Sequence, residues 1–117
     1  MEFHNNPVSC AHAGQAYIKG TVYLNRNDPN SRYAGAIVAF GPPDASTRYG
    51  DPIKTGDDGV YTIVLGDMGQ AKPGYYGVWL MTPNGTRKSD IAGPVAMNDL
   101  PDGNQSACWA AIVDFWK

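Results

Sequence analysis

Thr55-Gly56-Asp57-Asp58-Gly59-Val60-Tyr61-Thr62-Ile63 joins a polar turn to an alternating apolar run. Asp-Gly tolerates the positive φ that a tight two-stranded connection needs, and β-branched and aromatic residues suit a pleated, half-buried surface. The stretch predicts a hairpin turn feeding a strand over 60–65, and with it an all-β chain. It offers no catalytic grouping, because Asp57 and Asp58 stand where Asp serves turn geometry.

Upstream, Ile18, Val22 and Leu24 share one face with Gly20 while Lys19 and Thr21 take the other, the alternation of a half-buried strand. Residues 36–40 form a short apolar run that stops at Gly41-Pro42-Pro43, and 51–54 predict a brief strand before the turn. Downstream, a Gly-rich connection over 66–74 leads to a strong strand at 75–81, closed by Asn84-Gly85. A weaker strand is placed at 87–89 or 94–96. The run 108–116 is apolar on both faces, and Val, Ile and aromatic rings favour a last strand there over a short helix. Residues 1–14 read as an extended lead-in fixed mainly by Cys10, with Met1-Glu2-Phe3-His4 resembling cloning-derived sequence. These elements predict one domain, 15–117, built as a seven-stranded Greek-key β-sandwich.

The 117 residues suit a single core. Glu2 is the only Glu, while 14 Gly and 9 Pro disfavour helices. A net charge of -2 with both signs scattered gives no basic stripe, so nucleic acid is not an expected partner. No apolar run approaches the roughly 20 residues of a membrane-spanning helix, and no membrane insertion is expected. Cys10 and Cys108 stand at opposite ends. A disulfide between them is the leading reading, implying an oxidising compartment; two unpaired thiols are the alternative.

Four ordered pieces resemble the carboxypeptidase regulatory-like domain, a transthyretin-like (prealbumin-like) sandwich related to B-type repeats of collagen adhesins. They are Ile18-Lys19-Gly20-Thr21-Val22-Tyr23, Tyr33-Ala34-Gly35-Ala36-Ile37-Val38, the opening stretch, and Pro73-Gly74-Tyr75-Tyr76-Gly77-Val78. The resemblance implies a non-catalytic accessory module, a spacer or docking unit of a larger secreted or cell-surface protein, with neighbouring domains as partners. The relatives among the adhesin repeats also suggest a Lys19 to Asp114 isopeptide bond, although no third carboxylate to promote it is evident and Lys19 faces outward. The enlarged 66–74 connection, the terminal Cys pair and the Trp-rich last strand depart from the family plan.

The chain has two histidines, His4 and His12, both in the lead-in, and no nucleophile elbow or zincin pattern, so no enzyme and no cofactor is expected. His4, Cys10 and His12 match no zinc spacing. Asp99, Asp102 and Asn104 offer clustered oxygens for calcium but read better as a polar turn. Asn84-Gly85-Thr86 and Asn104-Gln105-Ser106 fit the glycosylation acceptor pattern. Tyr75, Trp79 and Met81 share one strand face, opposite Tyr76, Val78 and Leu80; whichever face is not core is exposed or covered by a loop. Tyr75, Trp79 and Trp116 are therefore the candidate ligand-binding rings, able to stack on a polysaccharide if exposed. Core, edge-covering or domain-contact roles are the plainer reading of the same rings. A transthyretin-like carrier of small molecules has only fold analogy behind it.

Overall fold

The computed structural model describes residues 2–11, 14–66, 69–101 and 103–117. Among them every regular element is a strand: β1 (His4–Asn5), β2 (Ser9–Ala11), β3 (Tyr17–Tyr23), β4 (Ile37–Gly41), β5 (Ile53–Lys54), β6 (Val60–Val64), β7 (Gly74–Met81), β8 (Ala92–Met97), β9 (Ala110–Ile112) and β10 (Phe115–Trp116). They form two sheets in a sandwich-like arrangement. One follows β1-β10-β3-β9-β2 with β6 on β3; the other runs β5-β4-β7-β8.

Ten strands replace the expected seven for two reasons. The anticipated last strand is broken: β9 pairs in parallel with residues 17–19 of β3, and β10 with Val22 and Tyr23. The lead-in is also woven into the sheet, β1 pairing antiparallel with β10 and β2 with β9. Phe3, expected in a cloning-derived tail, is fully buried in the core, and backbone bonds run from Phe3 N to Lys88 O and from Asp90 N to Phe3 O. The weaker strand settles at Ala92–Met97, while Arg87 and Ser89 make isolated bridges.

The opening stretch behaves differently from its local signal. Gly59 takes φ 73°, its N–H donates to Gly56 O, and Gly56 N–H donates to Val60 O, so the turn forms as predicted. Its arms, however, part company. Thr55 N–H donates to Ala36 O on the β4 side, whereas Val22 N–H donates to Gly59 O and β6 pairs with β3. The turn therefore crosses from one sheet to the other instead of closing a hairpin. Gly59 is required twice over, by its φ and because a Cβ would lie 3.0 Å from Arg32 Cβ and 3.1 Å from Val22 O.

Between the sheets, Ile18, Val22, Tyr61 and Ile63 meet Val38, Val78, Leu80 and Val95, with Phe3, Val113 and Phe115 closing the layer. Of these, the sequence alternation grouped Ile18 and Val22 on one face; Leu24, grouped with them, lies past the end of β3 and is exposed. Ala39, Trp79 and Met81 form a second small cluster on the opposite face of β4 and β7, with Ile37 and Ala45 packed against it. Cys10 and Cys108 are joined, with Cα atoms 4.8 Å apart across 98 residues of sequence. In the chain-entropy account a bridge closing about 100 residues stabilises by about 4.7 kcal/mol. It is a bond of oxidising surroundings.

Candidate functional site

The three candidate rings are not brought together. Tyr75, on the outer face of β7, is 67% exposed. Trp79 lies on that face too, but at 5% exposure it offers no platform for stacking. The 42–48 loop folds over it: the Cβ position of Gly41 lies 2.4 Å from Thr47 O and 3.0 Å from Trp79 Cη2. Trp116, on the other sheet, is half-buried. The Arg26 guanidinium sits 4.7 Å from its ring centroid, the His4 ring also 4.7 Å away, and its indole N–H donates to Asn6 Oδ1 at 3.0 Å. Stacking by Trp79 is thus excluded, and the ring of Trp116 is already in contact with the protein's own side chains.

The loop that covers Trp79 also builds a cleft of about 310 Å³ beside it, with Trp79 and Met81 as apolar lining and Asp44, Thr47, Arg48 and Arg87 among its polar residues. Ala45 forms part of the wall with φ 56°, a left-handed conformation that a non-glycine residue adopts at a cost of about 1–3 kcal/mol. Ala45 N–H donates to Pro42 O and Ser46 N–H to Asp44 Oδ1, closing the turn. Hydrogen bonds from Ser46, side chain first and backbone second, hold the Asp44 carboxyl below its ordinary value. Arg48 Nε donates to Gly50 O at 2.9 Å and Arg87 Nη1 to Ser89 O at 2.5 Å. Sequence reading missed these four polar residues, because loop arginines carry no periodicity; the one usable signal was that the Trp79 face would be exposed or loop-covered.

A second cleft, about 300 Å³, lies on the other sheet and is lined by Lys19, Gly20, Thr21, Val60, Ile112 and Asp114. Lys19 and Asp114 do share it, but each is engaged elsewhere. The Lys19 ammonium lies 5.5 Å from the Tyr17 ring centroid, and Asp114 Oδ1 accepts from Thr21 N at 2.8 Å. Here the carboxylate takes the place of a backbone carbonyl at the break between β9 and β10. The carbonyl of Val113 turns inward to accept from Tyr61 Oη at 2.6 Å, and it passes so close to Gly20 that a Cβ there would lie 1.7 Å from its oxygen. Burial, and then the charge of Asp114, push the Tyr61 hydroxyl well above its ordinary value.

Phe40, Tyr49 and Tyr76 form an aromatic group at one end of the core, with centroids 5.8 to 6.4 Å apart. Burial, then Tyr49, raises the Tyr76 hydroxyl. His4 Nδ1 lies 2.7 Å from Asp90 Oδ2. Cys10 is in the disulfide, and His12 lies outside the described residues, as does Asp102 of the calcium candidate. Asn104 Oδ1 accepts from Ser106 N, as a polar turn requires. No group of three or more His, Cys, Asp or Glu suited to a metal ion occurs among the described residues. Of the two acceptor sequences, Asn84 is exposed and its Oδ1 bonds Thr82 Oγ1 within its own turn. Comparison with protein-family models, with curated proteins and with solved structures finds no match.

Proposed function

We propose that the chain is a non-catalytic accessory module of a larger secreted or cell-surface protein, with the Greek-key, transthyretin-like plan that the four sequence pieces suggest. The observation that carries this reading is the Cys10–Cys108 disulfide, which fastens β2 to the segment leading into β9 in an all-β unit of two sheets, a build that suits a rigid spacer or docking unit. The interior polar side chains support the non-catalytic part: Thr55, Ser89 and Tyr61 all spend their hydrogen bonds on backbone groups. The disulfide supports the oxidising location.

The rival reading, a carbohydrate-binding module, rests on Tyr75 as its one well-exposed candidate ring. Both are tested on the purified chain. A panel of ester, glycoside and peptide substrates will show no turnover above the blank; turnover removed by a single substitution in this chain would sink the module reading. Affinity gels cast with soluble and insoluble neutral glycans decide the rival, which needs retardation that Tyr75→Ala abolishes.

A further inference from the structure

The cleft beside Trp79 is a donor-rich site whose hydrogen-bonding capacity the fold leaves unused. Arg48 and Arg87 each give one N–H to a backbone carbonyl, which holds the guanidinium in place. Neither belongs to the two ion pairs among the described residues, His4–Asp90 and Lys117–Glu2. Each fork therefore keeps N–H groups free for an acceptor. The third donor is the indole of Trp79. Trp109 and Trp116 direct their N–H groups to Leu100 O and Asn6 Oδ1, whereas that of Trp79 donates to none of the described residues. No buried side-chain nitrogen or oxygen among them lacks a partner, so the Trp79 N–H is not sealed inside protein. The ring is 95% covered and lines this cleft.

Two guanidiniums and an indole N–H around an apolar floor call for an anion that accepts several bonds at once, and a carboxylate matches the planar Arg fork. Asp44 narrows the choice. A carboxylate on the rim repels a second one placed against it but accepts hydroxyl protons, and Thr47 adds a hydroxyl that both donates and accepts. At about 310 Å³ the space stands at the small end of ligand clefts, about 300–1,000 Å³, and suits a single ring. We propose that this cleft binds a sugar acid: Arg48, Arg87 and the Trp79 indole N–H hold its carboxylate, Asp44 and Thr47 meet its hydroxyls, and Met81 packs under its C–H face. The proposal is independent of the accessory-module reading and does not use Tyr75.

The experiment is titration of the full ¹⁵N-labelled chain with galacturonate and its short oligomers, followed by the three indole N–H signals. The Trp79 signal will move saturably while those of Trp109 and Trp116 stay, and galactose at equal concentration will move none. Arg48→Gln and Arg87→Gln will each weaken binding at least tenfold, with Arg26→Gln, at the Trp116 ring, leaving it unchanged. Arg48 is exposed, so its variant keeps the test valid should Arg87→Gln fail to fold. An equal response to galactose, a response centred on Trp116, unchanged affinity in Arg48→Gln, or tighter binding of an acetylated dipeptide carboxylate than of galacturonate would each overturn it.

Discussion

The two outer-face clefts are nearly the same size, about 300 and 310 Å³, yet their polar groups are employed in opposite ways. Around Gly20 everything is inward-looking. Asp114 serves Thr21, Val113 carbonyl serves Tyr61, and Lys19 lies along the Tyr17 ring. Around Trp79 the loop turn is satisfied internally, but two guanidiniums and an indole N–H point to no described acid or carbonyl beyond the bonds that steady them. A hollow lined by committed groups is architecture; one lined by uncommitted donors has capacity to spare for a ligand. Volume alone does not separate them.

Substitutions sharpen that contrast, beginning with the largest effect. Gly20→Ala drives a Cβ into the Val113 carbonyl at 1.7 Å, both of them backbone-anchored, so no rotamer relieves it. The expected cost is more than about 3 kcal/mol, at the upper end of overpacking, or roughly 10 °C or more in Tm. A thermal melt within about 2 °C of the parent would show that the knot is loose and the contrast false. Tyr61→Phe removes the donor to Val113 O and leaves a buried carbonyl short of a partner, at about 1–3 kcal/mol, to be read from urea unfolding.

The same hydroxyl gives a pH signature. Its folded value lies above the ordinary one of about 10. Above about pH 10 the unfolded chain ionises Tyr61 while the folded chain holds the proton, so unfolding releases it and stability falls as pH rises. Below that pH Tyr61 is neutral in both states and contributes no slope. Tyr61→Phe will flatten the alkaline decline, although Tyr76, also raised, keeps part of it. An unchanged decline would place the Tyr61 hydroxyl in contact with solvent. The smallest effect belongs to the other cleft: Arg48→Gln will alter stability by less than about 0.5 kcal/mol, as surface changes outside packed features do. A loss of 2 kcal/mol in a melt would mean that Arg48, too, is committed to the fold.

Much of the strand content was legible because period-2 alternation reports burial residue by residue. Ile18 and Val22 face inward as their spacing requires, and the Asp57-Asp58-Gly59 turn forms where its chemistry puts it. What the turn joins was not legible. The local bonds Gly59 N to Gly56 O and Gly56 N to Val60 O do not specify whether the arms pair with each other or with β4 and β3. The break at Val113-Asp114 was hidden for a related reason: an Asp side chain imitating a backbone carbonyl leaves the apolar pattern of 108–116 intact. Phe3 carried no periodic context, so its burial depended on a bridge to Ser89 far along the chain. Of the candidate rings, Tyr75 is exposed as a platform needs; Trp79 shares its face by alternation, but a loop covers it.

By itself, the sequence determined the all-β character, the positions of the turns, the inward face of β3 and the two thiols available for one bridge. Each is a property of neighbouring residues or of composition, and neighbouring residues are what a sequence displays. Tertiary structure alone decided that the opening turn spans two sheets, that the chain ends interleave, that Asp114 and Tyr61 secure a carbonyl above Gly20, and that Arg48 and Arg87 share a cleft with Trp79. Those facts depend on groups tens of residues apart meeting within a few ångströms, and the free energy that selects such meetings resides in packing and hydrogen-bond satisfaction across the whole fold.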